Sequence, residues 1–169
     1  MNLDAGESHV VKWRPSVSEQ LNQIAAYFAE LPWPRAVRLQ SNRVEIDHEW
    51  FGTACVSAAS LVGSGPTFVY DTVYAGPAAP ERRPAVAHFL ARVNFELVVG
   101  AFSLDWAHGT VRCRSAADVA GQPLTHAFLS GVVHPHHQAM ITYFTHLRGV
   151  VRGEQEPDAA FTEAFEQLG

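Results

Sequence analysis

The stretch RVEIDHEWFGTACVSAASLVGSGPTFVYDTVY, residues 43 to 74, decides the fold. In its first part, single charged residues separate the members of an apolar row, which are Val44, Ile46, His48 and Trp50. This alternation has a period of two and predicts a β-strand with one buried face and one face in water. We expect His48, on the buried face, to be a hydrogen-bonded core residue rather than a catalytic base.

Two further strands follow within the same stretch. Residues 54 to 62 are small and apolar, which predicts a strand covered on both faces. Gly63, Gly65 and Pro66 indicate a turn, and residues 68 to 74 are rich in the aromatic and β-branched side chains that favour strands. Three neighbouring strands joined by short loops predict an antiparallel meander.

A helix is predicted on each side of the meander. Before it, residues 16 to 31 carry apolar side chains at helical spacing, and Ser16 with Glu19 has the spacing of a capping box. After it, apolar side chains from Val86 to Val98 recur in the same way, and Gly100 is predicted to close this second helix.

The remaining sequence predicts a hairpin and a helical C-terminal part. Alternating residues from 102 to 106 and from 111 to 114 flank a glycine, which indicates a hairpin. Residues 124 to 151 have a helical pattern that contains Pro135, which either kinks one long helix or begins a second one. Residues 152 to 157 are polar, and a short amphipathic helix follows them.

These elements predict an α+β fold in the order α-β-β-β-α-β-β-α, with an antiparallel sheet of about five strands backed by helices. We assign residues 1 to 153 to one domain and residues 154 to 169 to a linker and a C-terminal amphipathic helix. This last helix docks either on its own domain or on a separate partner, and the sequence leaves both open.

Composition limits the classes of function. The 169 residues are 47% hydrophobic and 17% charged, which is typical of one globular domain with a core. A net charge of -5 with scattered basic residues argues against nucleic acid as a partner. We expect a cytoplasmic protein, because the N-terminal residues lack the apolar core of a signal peptide, and no membrane segment, because the apolar stretches are far shorter than the ~20 residues of a spanning helix. The two cysteines, Cys55 and Cys113, are expected to be reduced and buried.

The part from Pro80 to Gly153 resembles a known family. Its elements are a Leu-x-x-x-Asn helix (Leu90 to Asn94), a Gly-x-Phe-x-Leu-Asp segment (Gly100 to Asp105), a glycine turn at Gly109, and Val-x-x-Arg (Val111 to Arg114). Together with the aromatic-rich helix that follows, these elements resemble the YbjN-like family, described as bacterial sensory transduction regulators. The resemblance covers a little under half of the chain.

That family is similar in fold to the chaperones of type III secretion, which are small acidic homodimers that hold extended segments of client proteins. The resemblance therefore implies a curved antiparallel sheet backed by helices, a homodimer, and a protein or peptide client. It implies no catalytic chemistry and no cofactor.

Four residues are candidates for a dimer or client surface: Asn94, Phe102, Leu104 and Trp106. Asn94 falls on the apolar stripe of its helix, where a polar group needs a hydrogen-bond partner. It either ties the helix to the hairpin or makes a polar contact in a dimer or ligand groove. The three apolar candidates are alternatively ordinary core residues.

The alternative function is metal or small-molecule binding by the cluster of His134, His136 and His137. Adjacent residues of a helix point about 100° apart, so His136 and His137 cannot share a metal as a pair spaced by four would. No cysteine or carboxylate completes a ligand set near them, and no catalytic motif is present. We therefore expect a binding module without a metal, a cofactor or enzymatic activity.

Overall fold

The computed structural model describes residues 15–63, 67–74, 76–119 and 123–167. Its elements, in chain order, are α1 (Val17–Glu30), β1 (Ala36–Leu39), β2 (Arg43–Trp50), β3 (Thr53–Val62), β4 (Thr67–Val73), α2 (Arg83–Glu96), β5 (Ala101–Leu104), β6 (Val111–Asp118), α3 (His126–Arg152) and α4 (Pro157–Glu166). The predicted turn at Gly65 and Pro66, and the N-terminal residues 1 to 14, lie outside this part of the chain.

The strands form one six-stranded sheet in the order β1-β2-β3-β4-β6-β5, and every neighbouring pair is antiparallel. The α+β class and the antiparallel sheet are thus confirmed. The sequence predicted about five strands, and the additional one is β1. This strand has four residues and lies between a proline-containing loop and a polar turn, so no alternation is long enough to reveal it.

The sheet has one covered face and one open face. Side chains such as Cys55 and Ser57 point toward the helices and are buried, whereas Ala54 and Val56 of the same strand are exposed. The prediction that β3 is covered on both faces is therefore wrong. Its small side chains suit either environment, and in this structure the helices cover the opposite face, where Cys55 and Ser57 lie.

The first helix begins as predicted. The Ser16 hydroxyl accepts a hydrogen bond from the backbone N–H of Glu19 at 3.2 Å, and the Glu19 carboxylate accepts one from the N–H of Ser16 at 2.6 Å. This capping box satisfies two backbone donors that the first helical turn leaves free. The buried face of α1 then packs on β1, β2 and β3 through Leu21, Ile24 and Phe28.

The second helix is shorter than predicted. It ends at Glu96, so Val98 lies beyond it, and Gly100 precedes β5 instead of capping the helix. Gly100 has a φ of +80°, and a Cβ at this position would lie 2.5 Å from the Ser115 hydroxyl. Close approach to the neighbouring strand therefore accounts for this glycine.

The third helix is continuous through Pro135. Of the two alternatives for this proline, the structure contains the single long helix. Proline has no N–H, so the carbonyl of Gly131 lacks its usual helical donor. Thr125 caps the start of the helix, where its hydroxyl accepts from the N–H of Phe128 at 3.1 Å, and Gly153 ends it with a φ of +74°.

The C-terminal helix packs on the chain that carries it. Ala160, Phe161 and Ala164 of α4 are buried in one hydrophobic cluster with residues of α2 and α3. The Arg82 guanidinium donates to the carbonyl of Val150 near the end of α3, at 2.9 Å, and to that of Gln155 in the connection to α4, at 3.5 Å. Residues 157 to 166 thus share the core of the domain.

Candidate docking surface on the second helix

The candidate site lies on the outer face of α2. The inner face of this helix buries Val86, Phe89, Leu90 and Val93. Ala87, Ala91 and Phe95 follow one another at intervals of four on the outer side, where Ala91 and Phe95 are exposed. Residues spaced by four lie one above another on a helix, so these three form a single ridge. Two of its members are small, and the third is a large aromatic side chain.

All four residues selected from the sequence line one hollow beside this ridge. The hollow has a volume of about 300 Å³, and its walls are Ala87, Leu90, Ala91, Asn94, Phe102, Leu104 and Trp106. The structure therefore brings the predicted residues together on one surface. It does not give them equal roles there, because they differ in exposure and in hydrogen bonding.

Asn94 ties the helix to the edge of the sheet. Its side-chain amide donates to the carbonyl of Phe102 at 2.8 Å, and its side-chain oxygen accepts from the N–H of Phe102 at 2.7 Å. The Asn94 side chain thus forms the two hydrogen bonds that the backbone of a neighbouring strand would form with the outer edge of β5. Of the two roles predicted for Asn94, this geometry matches the tie between helix and hairpin.

The three apolar candidates range from core to surface. Phe102 is 4% exposed and packs in the core of its own chain, so its side chain cannot contact a partner in this conformation. Leu104 is half-buried, and Trp106 is 58% exposed. Trp106 follows the end of β5 and is held through its carbonyl, which accepts from Arg83 at 2.8 Å. The accessible part of the predicted surface is therefore Trp106 with the edge of Leu104.

Sequence reasoning missed the most exposed apolar residues of this surface. Phe95 is 87% exposed, and Val98 is 97% exposed. Val98 was predicted to lie on the buried stripe, but α2 ends before it and the chain turns away. Phe95 had a detectable signal, because it is a large aromatic residue outside the apolar stripe of its helix.

An apolar groove adjoins the ridge where α2 ends. Its volume is about 430 Å³, and it is lined by Glu96, Leu97, Val98, Val99, Pro135, Gln138, Ala139, Thr142, Tyr143 and Phe165. Apolar side chains from the loop after α2, from α3 and from α4 form its floor, while Glu96, Gln138 and Thr142 supply polar groups. A groove of this composition suits a peptide segment that places an apolar side chain in the groove and forms a few hydrogen bonds through its backbone.

Arg92 and His88 on α2 contact the carboxylate of Asp158 on α4 beside this surface. Arg92 contacts the carboxylate of Asp158 at 2.5 Å and lies 4.2 Å from the centre of the Phe161 ring. His88 lies 3.3 Å from the same carboxylate. These contacts join α2 to α4 along one side of the ridge. They leave the outer face of α2 mainly apolar.

The histidine cluster is not assembled as a metal site. His134 is exposed, whereas His136 and His137 are buried beneath the sheet with separate hydrogen-bond partners. Within the described ranges, no group of three or more His, Cys, Asp or Glu side chains is placed to hold a metal ion. The physical reason is the rotation of about 100° per residue along the helix, which places His134 on the exposed side of α3 and His136 and His137 on its buried side.

The buried histidines belong to a polar network instead. The Nε2 atom of His48 lies 2.7 Å from the Ser57 hydroxyl, which lies 2.6 Å from that of Thr72. The Thr72 hydroxyl lies 2.9 Å from Nε2 of His136, whose Nδ1 is 3.1 Å from the Ser115 hydroxyl. A chain of hydrogen bonds therefore connects side chains of β2, β3, β4, α3 and β6.

A second branch of aromatic contacts surrounds His137. Its Nε2 is 3.1 Å from the Tyr70 hydroxyl, and the rings of Trp33 and Trp50 lie 4.2 and 5.3 Å from its own. His48 is a core residue as predicted, but its buried Nδ1 has no hydrogen-bond partner among the described residues. Only one of the two ring nitrogens therefore matches the prediction of a hydrogen-bonded side chain.

Burial keeps these groups uncharged. It lowers the pKa of His48 to about 4 and the pKa values of His136 and His137 to about 3. It also raises the pKa of the Cys113 thiol to about 12, and both cysteines are free and buried. The network is closed to solvent and serves the core, so it offers no access to a substrate.

Two comparisons, one with protein-family models and one with curated proteins, found no match. Within the part of the chain that the structure describes, no helix combines the length and apolarity needed to cross a membrane. The function must therefore be argued from the surface itself.

Proposed function

We propose that this protein is a non-enzymatic binding module that acts as a homodimer and holds an extended segment of another protein. The observation that supports this best is the apolar outer face of α2, where Phe95 and Val98 are 87% and 97% exposed. Large apolar side chains that cluster on a surface typically mark an interaction site. The resemblance to YbjN-like proteins and to secretion chaperones is consistent with the same role.

The ridge on α2 favours a second copy of the chain as its partner. If two α2 helices pack antiparallel about a two-fold axis at Ala91, Phe95 of each copy lies over Ala87 of the other, because both are four residues from the axis. The small side chains of Ala87 and Ala91 leave hollows on this face, and Phe95 supplies a matching knob. Such a self-complementary patch is what a two-fold dimer interface requires.

The adjoining groove is the proposed client site. Leu97, Val99 and Phe165 provide apolar contacts, and Gln138 and Thr142 provide hydrogen-bonding groups for an extended backbone. A volume of about 430 Å³ accommodates apolar side chains of a bound segment. Since Glu96 lines both this groove and the hollow beside Phe95, a dimer would place the two client sites next to its interface.

The dimer is tested by the substitution Phe95→Asp. We expect sedimentation velocity to show a dimer for the unmodified protein and a monomer for the variant, because a desolvated carboxylate opposes packing at the centre of an interface. Circular dichroism should be unchanged, since the side chain contributes little to the core.

The matched control is Phe51→Asp, which makes the same chemical change at a phenylalanine that is 52% exposed in the turn between β2 and β3. This variant should remain a dimer. A monomeric unmodified protein over the whole accessible concentration range, or equal dissociation of both variants, would overturn the homodimer.

The client site is tested with a permanently unfolded, carboxymethylated protein as ligand. We expect saturable binding in fluorescence anisotropy, and we expect Phe165→Asp to weaken it at least about 10-fold by placing a charge in the apolar groove. Val62→Asp is the control, since Val62 is 50% exposed at the end of β3. Absence of binding, or the same loss in both variants, would contradict the client role.

A further inference from the structure

A cavity of about 310 Å³ lies between the C-terminal part of α3 and the end of the sheet where β3 begins and β4 ends. Both layers and the loop that leaves β4 form its walls, which are Thr53, Tyr74, Gly76, Pro77, Ala79, Arg148, Val151 and Arg152. The volume is at the lower end of the range for ligand pockets, so the cavity suits a small ligand or one side chain. It shares no lining residue with the hollow or the groove beside α2 and does not depend on the proposed dimer or client site.

The spacing of residues along α3 brings two arginines to this cavity. Phe144 of α3 packs on the ring of Tyr74, with the two ring centres 5.3 Å apart. Arg148 and Arg152 follow Phe144 at intervals of four, so all three lie on one side of the helix. The side of α3 that contacts Tyr74 therefore continues, toward the end of the helix, with two guanidinium groups.

Arg148 has no counter-ion in the described part of the chain. Its side chain is half-buried and forms no hydrogen bond or ion pair with any described residue. Arg152 lies 3.9 Å from the carboxylate of Glu154, which is too long for a hydrogen bond. Partial burial removes water from the Arg148 guanidinium, so leaving its charge unpaired costs free energy. The cavity thus presents a positive charge that awaits an anion.

Tyr74 adds a hydrogen-bond donor that is also unpartnered. The side chain is only 7% exposed, and its hydroxyl forms no hydrogen bond with the described residues. Burial raises the pKa of Tyr74, while the positive charges of Arg152 and Arg148 act against this rise, so the hydroxyl keeps its proton. Gly76 leaves space beside the hydroxyl, because a Cβ there would lie 3.7 Å from the oxygen and 3.1 Å from the ring carbon Cε1. Most buried polar groups have a partner, so this hydroxyl indicates a ligand.

The donors approach the cavity from two sides. The guanidinium groups come from α3, and the hydroxyls of Tyr74 and Thr53 come from the end of the sheet. A carboxylate has two oxygens and a single negative charge. A phosphate monoester has three acceptor oxygens and a charge of about −1.5 to −2 at neutral pH, and arginine is the residue that commonly binds it. Donors on both sides of the cavity therefore favour the phosphate.

We propose that this cavity binds the phosphoryl group of a phosphate monoester. Arg148 and Arg152 contact the phosphoryl oxygens from α3, and the Tyr74 hydroxyl donates to one of them from the sheet. Two sources share this chemistry, which are a small free phosphate ester and a phosphoserine side chain of a peptide.

The test is a titration of the isotopically labelled protein at constant ionic strength, followed through backbone and arginine side-chain signals in nuclear magnetic resonance. The probes are glycerol 3-phosphate for the free ester, N-acetyl-phosphoserine methylamide for the peptide, N-acetyl-aspartate methylamide as a carboxylate, and glycerol as a neutral compound. We expect saturable shifts at Gly76, Ala79 and Arg148 with both phosphate probes, weaker binding of the aspartate probe, and no binding of glycerol.

Variants separate the contribution of each layer. Arg148→Gln should weaken both phosphate probes at least about 10-fold, because a charge-assisted hydrogen bond is lost. Tyr74→Phe should weaken them at least about 3-fold, and it should leave the midpoint of urea unfolding unchanged, because the hydroxyl has no described partner to lose. Arg43→Gln on β2 is the control and should bind both phosphate probes normally, since Arg43 lies outside the cavity.

The outcome also identifies the source. Tighter binding of glycerol 3-phosphate supports a free ester, tighter binding of the phosphoserine probe supports a peptide, and equal affinities support recognition of the phosphoryl group alone. The inference is overturned if neither phosphate probe gives saturable shifts or if the aspartate probe binds as tightly as the phosphoserine probe. It is also overturned if Arg148→Gln and Tyr74→Phe leave the affinities unchanged.

Discussion

Two regions of this molecule invert the usual distribution of polar and apolar side chains. Beneath the sheet, His48, His136 and His137 are at most 8% exposed, in the place where apolar residues normally lie. On α2, Phe95 and the nearby Val98 are at least 87% exposed, in the place where polar residues normally lie. Both regions contradict simple patterning, and they do so in opposite directions.

The difference lies in where the partners are. The buried histidines have partners within the chain, because hydroxyl groups from β3, β4 and β6 reach His48 and His136, and the Tyr70 hydroxyl reaches His137. The exposed residues Phe95 and Val98 have little of their surface covered by the chain that carries them. A buried polar region whose hydrogen bonds are mostly made within the chain serves stability, whereas an apolar region left uncovered points to a partner.

Acidification should have the largest effect on stability, because it acts on the buried histidines. The three histidines have an ordinary pKa of 6.5, whereas in the fold the values are about 4 for His48 and about 3 for the others. Below about pH 6.5 the histidines of the unfolded chain bind protons, whereas those of the folded chain do not. The free energy of unfolding therefore decreases as the pH decreases. If unfolding takes up three protons, the slope of the free energy of unfolding against pH is up to about 4 kcal/mol per pH unit. Urea unfolding between about pH 7 and about pH 4 measures it.

The control for this slope is His137→Phe, which removes one titrating group and the Tyr70 contact. We expect the variant to lose about one third of the slope. An unchanged slope, or a stability that is constant down to about pH 4, would contradict the assignment of the histidines as uncharged core groups.

The substitution His136→Leu should have the next largest effect. It leaves the Ser115 hydroxyl buried without its imidazole partner and shortens the chain of hydrogen bonds at Thr72. We expect a loss of about 3 kcal/mol in the free energy of unfolding. His134→Leu, at an exposed position of the same helix, should change it by less than about 0.5 kcal/mol. Equal effects of the two substitutions would show that the network does not stabilise the fold.

Asn94→Ala tests the tie between α2 and the edge strand β5. The substitution removes two hydrogen bonds to the backbone of Phe102 and exposes the edge of β5. We expect a loss of about 2 kcal/mol, and we expect faster hydrogen exchange of the Phe102 amide. Asn22→Ala on the exposed side of α1 serves as the reference and should have little effect. A Phe102 amide that exchanges as slowly as before would contradict the tie.

Of these changes, Val98→Asp should have the smallest effect on stability. Because the side chain is 97% exposed, we expect the free energy of unfolding to change by less than about 0.5 kcal/mol in chemical denaturation. The same variant should weaken binding of an unfolded client, since Val98 lines the apolar groove. A large loss of stability would show that the loop after α2 is part of the core.

Much of the fold was predictable because local patterns determine it. The capping box of Ser16 and Glu19, the alternation in β2 and the glycine turn at Gly109 each act within a few residues. The errors occurred where patterns are short or ambiguous. Strand β1 has only four residues, and the small side chains of β3 fit a covered face as well as an open one.

The candidate surface was predictable in part. Asn94, Phe102, Leu104 and Trp106 do line one hollow, but the sequence could not distinguish the buried Phe102 from the exposed Trp106. Alternation places both on one face of a strand, and only the end of β5 at Leu104 turns Trp106 out to solvent. Phe95 and Val98 were missed because exposure depends on neighbours that are distant in the chain.

By itself, the sequence determined the α+β class, the positions of most helices and strands, and the inward direction of His48, since these follow from periodicity and from caps that span a few residues. Only the tertiary structure decided that the hydroxyls of Ser57, Thr72 and Ser115 meet the histidines, that one sheet face is open, and that the ridge on α2 is uncovered. The physical reason is that hydrogen bonds and burial between residues far apart in the chain depend on strand order and register, which no local pattern encodes.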